Sequence, residues 1–221
     1  MHTKRISSGY GKKPKWIVTP ISGPHKREES ISLLIVVRDI LKYAGTAREA
    51  KRIIHDGLIM VDKRVRKDER YGVGLMDTID IPKIKKSFRV LPSKKGLILR
   101  EIPSKESSLK ACKIMNKTII KNGAIQLNLH DSSNIITDKT DYRTRDTLLI
   151  ELPERKIKDR IEFKKGNIAL VVHGRHSGEI GEINEISEGT ATKKSITRLG
   201  EIQTLTDYIF VIGKKKPIIT I

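Results

Sequence analysis

From Leu33 the chain repeats apolar residues at three- and four-residue spacing: Leu33, Leu34, Val37, Ile40, Leu41 and Ala44. That spacing lines one face of a helix, and Gly45 is expected to stop it. Thr46 then stands where an N-cap belongs, with Glu49 three residues on to complete a capping box. Ala47, Ala50, Ile53 and Ile54 form the apolar stripe of this second helix, and Gly57 ends it. A short strand over 58–61 and a turn at Asp62 and Lys63 follow. Beyond them helices become scarce. The runs 88–91 and 97–102 flank PSKKG, a hairpin signal. Further strands are predicted over 124–129, 147–152, 168–172, 180–186 and 208–213. Short strands at such spacing, separated by Gly, Asn and Asp, predict small barrels or sandwiches. The basic stretch ERKIKDR, 154–160, reads as the turn between the middle and last parts. The fold class is α+β and multidomain.

The polar positions carry the next signal. Arg48, Lys51, Arg52 and His55 share the face of the second helix opposite its apolar stripe, one basic stripe about a turn and a half long. Arg64, Arg66, Lys67 and Arg70 extend that surface, and over residues 33–70 bases outnumber acids ten to six. The whole chain agrees: 45 Lys and Arg against 26 Asp and Glu give a net charge of +19. Self-repulsion of that size points to a polyanionic partner, nucleic acid first. Residues 1–27 hold Lys4, Arg5, Lys12, Lys13, Lys15, Lys26 and Arg27 and no acid, among glycines and prolines that deny regular structure. This segment is either a solvated tail or, the preferred reading, an arm that orders along phosphates.

Other classes fall away on composition. The apolar run ISLLIVV, 31–37, is too short to span a bilayer, and no long amphipathic basic helix carries bulky anchors. No membrane partner is expected. The N-terminus MHTKRISSGYGKKPKW lacks the apolar core of a secretory signal. Cys112 is the single cysteine, which excludes internal disulfides and multi-cysteine zinc sites and reads as a small buried hydrophobe. The chain reads as soluble and intracellular.

The stretch NIALVVHGRHSGEIGEI, 167–183, sets His173, Arg175 and His176 among Gly174, Gly178 and Gly181. Its glycine spacing fits neither GxGxxG nor GxxxxGK[ST], and no helix signal follows, so a phosphate-cradling loop is excluded. A metal site fares no better: the loop has no cysteine, and Glu179 is its nearby carboxylate. No metal and no cofactor are expected. A β-hairpin explains more, its glycines allowing positive φ and close backbone approach, its His and Arg free to meet unpaired bases and phosphates.

Four stretches carry a family resemblance: HTKR at 2–5, GPHK at 23–26, RDILKYAGTAREAKRII at 38–54 and KKGNIALVVHGRHSGEIGEI at 164–183. With GLMDTIDI (74–81) and FVIGKKKP (210–217), they resemble, in order and over nearly the whole chain, the archaeal and eukaryotic small-subunit ribosomal S-four-e family. The resemblance implies a basic N-terminal extension (1–32), a small α+β S-four type RNA-binding domain (33–97), a central β domain (98–160) and a C-terminal SH3-like β-barrel with a KOW motif (161–221). On it, Arg38, Lys42, Arg48, Lys51, Arg52, Lys63, Arg64 and Arg66 fall in the RNA-facing part of the S-four type domain, and 174–181 is the KOW hairpin. With the arm cations Lys4, Arg5, Lys12, Lys13 and Lys15 and the loop residues His173, Arg175 and His176, these make the expected RNA-binding set. The implied partners are small-subunit ribosomal RNA and neighbouring small-subunit proteins, in the cytoplasm.

Two positions depart from the family pattern: SSGYGKKPK intervenes between HTKR and Trp16, and Ser32 stands where a proline usually precedes the apolar helix. The end at Ile221, without the basic extension of eukaryotic members, favours an archaeal-type ribosome. S-four type domains also accompany pseudouridine synthases, RNA methyltransferases and a tRNA synthetase. This chain has no HIGH or KMSKS pair, its RLG at 198–200 lacks the aspartate of a GRLD-type site, and no glycine-rich strand-to-helix loop or Ser-His-Asp grouping is readable. No enzymatic activity and no small-molecule substrate are expected. A free KOW-containing assembly or transcription factor is the alternative to a ribosomal constituent.

Overall fold

A computed structural model of the protein describes residues 17–138, 140–190 and 192–221, without the side chain of Asn122. The arm cations Lys4, Arg5, Lys12, Lys13 and Lys15 lie outside the described residues. The architecture is α+β with few helices, and the chain divides into two compact units. The first holds the described residues up to Leu91 with Lys95–Lys110 and Leu152–Glu154; the second holds Pro92–Lys94, Ala111–Glu151 and Arg155–Ile221.

In the first unit, β1 (Ile31–Ser32) leads into α1 (Leu33–Ile35), whose last turn widens into a π-helical segment at Val36–Ile40. Residues Leu33 to Val37 are all buried, so this helix is a core element with no solvent face until Arg38. The chain leaves it earlier than the apolar spacing predicts. Leu41 N–H donates to the Val36 carbonyl at 2.9 Å, and Lys42 takes φ 55° three residues before Gly45. Ala44 is buried in the same core from outside the helix, which is why it continued the apolar period.

Helix α2 (Ala47–His55) starts on the expected capping box: Glu49 N–H donates to Thr46 Oγ1 at 3.3 Å, and the Glu49 carboxylate accepts from Gly45 and Thr46 N–H. Ala50 and Ile54 are wholly buried, with Ala47 and Ile53 packed beside them, and Gly57 follows at φ 74°. Next come β2 (Met60–Val61), β3 (Arg64–Val65), β4 (Gly72–Val73), β5 (Thr78–Ile81), β6 (Lys86–Ser93) and β7 (Gly96–Ile102). Asp62 and Lys63, both at positive φ, make the two-residue turn between β2 and β3, the geometry that matches strand twist. β4 pairs with β1, and the remaining strands form a sheet in the order β3-β2-β5-β6-β7.

The later strands are β8 (Leu109–Ile119), β9 (Ile125–Leu129), β10 (Asn134–Thr137), β11 (Thr147–Glu151) and β12 (Lys156–Ile161), in a sheet ordered β10-β9-β8-β11-β12. The stretch ERKIKDR is therefore mostly strand. Lys156 and Lys158 are exposed along β12, Arg160 pairs with buried Asp146 at 2.8 Å, Ile157 and Ile161 turn inward, and the reversal spans 152–155. Cys112 is buried, as its composition context implied. Beside it, Lys113 donates to the Asp207 and Ile209 carbonyls at 2.9 and 2.7 Å, and burial pulls its ammonium down to about 8.

The last strands are β13 (Ile168–Val171), β14 (Ile180–Ser187), β15 (Ile196–Leu199), β16 (Ile202–Leu205) and β17 (Ile209–Gly213). They form an antiparallel sheet ordered β16-β15-β14-β13-β17, with a 3-10 turn at Thr206–Tyr208 just ahead of β17. Ala169, Val171, Ile183, Leu199, Ile209 and Val211 fill its core.

Candidate nucleic-acid interface

Because α2 buries Ala50 and Ile54, its opposite face is forced into solvent, and Arg48, Lys51, Arg52 and His55 are all exposed there. Their charge is not continuous. Glu69 reaches across to Lys51 at 3.1 Å and His55 at 3.3 Å. A backbone hydrogen bond, then Lys51, holds the Glu69 carboxyl below its usual range. Arg48 and Arg52 have no ion-pair partner among the described residues, and neither do exposed Lys42 and Arg64.

The other expected cations are engaged. Arg38 grips the neighbouring Asp39 through Nε at 2.7 Å and Nη2 at 3.0 Å. Lys63 donates to Ser107 and lies 3.1 Å from Asp80. The Arg66 guanidinium sits 4.4 Å from the Tyr71 ring centroid, and burial pushes the Tyr71 hydroxyl up to about 12. The structure thus sorts one class of residue into exposed cations with no ion-pair partner among the described residues (Lys42, Arg48, Arg52, Arg64) and cations already engaged.

The same unit contains a buried ion cluster that no local sequence pattern announced. Lys110 Nζ lies 2.6 Å from Asp62 and 2.7 Å from Asp77, with its side chain 2% exposed. His25 Nε2 is 2.9 Å from Asp77, and the N–H groups of Gly74 and Thr78 donate to Asp77 and Asp62. Burial pushes Asp77 up, but Lys110 and His25 outweigh it and hold the carboxyl well below its ordinary range. Burial raises Asp62, against the pull of Lys110. Arg89, wholly buried, pairs with Glu106 and donates to the Leu109 carbonyl at 2.9 Å. The ion pairs join residues 17 to 52 positions apart, beyond the reach of any spacing rule. Their cations are consumed inside the fold.

In the second unit the 167–183 stretch is a hairpin. Val171 N–H donates to the Glu179 carbonyl at 2.9 Å, and Gly178 N–H donates to the Val171 carbonyl at 2.8 Å. Gly174 and Gly178 take φ 88° and 89°, whereas Gly181 does not need positive φ and instead lets Leu199 approach. A Cβ on Gly178 would also lie 2.9 Å from the Pro92 carbonyl oxygen. His173 packs edge-on to Tyr208, ring centroids 5.5 Å apart, and His176 Nδ1 is 3.0 Å from Glu179. Lys94 at 2.6 Å and His176 together hold the Glu179 carboxyl low. The two imidazoles face different partners. Of the three loop residues expected to contact RNA, Arg175 alone is exposed with no partner among the described residues.

Known proteins match along the same chain. The S4 domain family matches residues 33–79, and the ribosomal S4e family matches 84–157. Small ribosomal subunit protein eS4 of Methanothermobacter thermautotrophicus is 43% identical, covering 100% of this chain and 95% of its own. The eS4 protein of Methanosphaera stadtmanae is 46% identical over the same shares. The crystal structure of 30S ribosomal protein S4e from Thermoplasma acidophilum superposes with a TM-score of 0.75 at 32% identity, covering 84% of this chain and 96% of that one.

Proposed function

The chain belongs to the ribosomal S4e family, and from that membership we propose that it is a structural constituent of the small ribosomal subunit, in the cytoplasm, that binds ribosomal RNA and stabilises its fold and assembly. The observation that carries this reading is end-to-end likeness to small-subunit proteins. Lys42, Arg48, Arg52 and Arg64 make the primary phosphate contacts, because their charges are exposed and unspent within the fold. Lys51, Arg38, Lys63 and Arg66 contribute second, each giving up or sharing an internal partner to do so. Arg175 leads the loop contacts, with His173 and His176 at its flanks, and the arm cations Lys4, Arg5, Lys12, Lys13 and Lys15 add to them.

Within this reading the chain is organised as a basic extension (1–32), an S4 RNA-binding domain (33–97), a central β domain (98–160) and an SH3-like KOW barrel (161–221). Five antiparallel strands with a 3-10 turn ahead of the last support the barrel. With aromatics at 4% and a net charge of +19, phosphate neutralisation dominates base stacking, so log K against log salt is steep. Neighbouring small-subunit proteins complete the set of partners.

The test is sedimentation of the tagged chain from cell extract in a high-magnesium gradient. Stoichiometric co-migration with small subunits is expected. Recovery in light fractions only would refute the ribosomal reading and leave a free assembly or transcription factor.

A further inference from the structure

The loop between β14 and β15 lines a cleft of about 800 Å³ in the second unit, and none of the lining residues is among those assigned above. We propose that this cleft takes one nucleotide of unpaired RNA, its base laid on Phe163 and Ile186 and its phosphate held by Lys193 and Lys194. This rests on the RNA-binding reading and adds to it a base-contacting site on the C-terminal sheet.

The floor comes first. The chain has three phenylalanines; Phe88 and Phe210 are buried, and Phe163, half-buried against the core of this sheet, is the one that lines the cleft. Ile186 lies beside it as further apolar surface. An aromatic face at the base of a cationic groove is the arrangement that stacks single-stranded bases without regard to sequence. The rim supplies charge. Lys193 and Lys194 are exposed, and neither ammonium has an ion-pair partner among the described residues. Arg145 lines the cleft too, sharing its guanidinium with Asp207 at 3.3 Å. Glu188 is the one carboxylate among the lining residues.

The rim is also built rather than slack. Thr190 N–H donates to the Lys193 carbonyl at 2.9 Å, and Lys193 N–H donates to Thr190 Oγ1 at 3.3 Å. Ser195 Oγ sits 2.6 Å from Thr206 Oγ1, anchoring the loop to the turn before β17. Gly189 lets the two sides of the loop close, since a Cβ there would lie 2.8 Å from both the Lys193 oxygen and the Ser195 nitrogen. A stacked base has to leave its helix to reach a concave floor, which selects unpaired RNA over duplex.

The full chain is titrated with a fluorescent single-stranded RNA decamer carrying a central 5-iodouridine, with a duplex of the same sequence, and with inorganic phosphate and a nucleoside monophosphate as competitors. The expected photocrosslink maps to Phe163. Phe163→Leu, which keeps an apolar floor, should weaken single-strand binding about tenfold and leave duplex binding unchanged. Lys193→Gln with Lys194→Gln, both at exposed positions, should reduce the salt slope of single-strand binding by about 0.7, the loss of one neutralised phosphate. Crosslinks elsewhere with both variants behaving as wild type would remove the cleft while leaving the ribosomal reading intact. Phosphate competing as well as the decamer would reduce it to an anion site and overturn the stacking claim. Failure of the wild-type chain to bind structured or unpaired RNA would instead refute the function proposed above.

Discussion

On helix α2 Arg48 and Arg52 are exposed on the face opposite wholly buried Ala50 and Ile54, and no ion pair claims them among the described residues. In the 172–179 loop two of the three candidate side chains are already engaged, His173 with Tyr208 and His176 with Glu179. A helix satisfies its own backbone and is closed at its N-terminus by the Thr46–Glu49 box, so its outward side chains carry no structural duty. A tight loop has no such ladder. It is held by glycines at positive φ and by its own side chains, and what remains for a partner is the residue left over, Arg175. Charge on the helix is therefore separable from stability, and charge in the loop only partly so.

The sharpest break of that contrast would come from the buried ion cluster of the same unit. Lys110→Met leaves Asp62 and Asp77 buried without their shared cation and should destabilise the protein by about 3–5 kcal/mol in thermal melts. In that variant Asp62 loses the pull of Lys110 and keeps the burial that raises it above its unfolded value, while Asp77 keeps His25. The group whose folded pKa is raised adds stability as pH falls, so the deficit should shrink toward pH of about 4. A melt equal to wild type at pH 7 would show that the buried cluster does not hold this unit.

Arg48→Glu with Arg52→Glu should leave the melt unchanged and cost about 3 kcal/mol of binding to structured RNA at low salt, shrinking as ionic strength rises. Lys51→Gln, whose partner Glu69 already takes part of its charge, should cost less. Equal losses from the Arg pair and from Lys51 would erase the distinction between free and paired cations.

In the loop the order inverts. Gly178→Val should lower stability by about 1–3 kcal/mol, because valine must adopt φ 89° and meet the Pro92 carbonyl. RNA affinity measured well below the melt should barely move. The smallest effect belongs to Arg175→Ala, a loss below about 1 kcal/mol in affinity with an unchanged melt. Adding His173→Ala and His176→Ala should cost slightly more stability than affinity, and EDTA should alter neither. A chelator-sensitive melt that the histidine substitutions abolish would replace the hairpin reading with a metal site.

Elements that local rules govern were legible from the residues alone. The box at Thr46 and Glu49, the stripe on α2, the turn at Asp62 and Lys63, the 88–102 hairpin and the glycine hairpin at 174–178 each depend on residues a few positions apart. Charge was legible in the same way, since a helix with one apolar face has to show its other face to water. The end of α1 was not: Ala44 kept the apolar spacing, and only packing in the shared core reveals that the chain had already turned at Lys42. Nor was the strand at 156–161 legible, because Lys156, Lys158 and Arg160 masked two inward isoleucines that matter only once β11 lies beside them. Above all, the sequence could not tell a free cation from a spent one. Whether Lys51 meets Glu69, Lys63 meets Asp80 or Lys110 sits between Asp62 and Asp77 depends on distances set by folding. Coulomb attraction acts across space, and tertiary structure alone decides which charges share it.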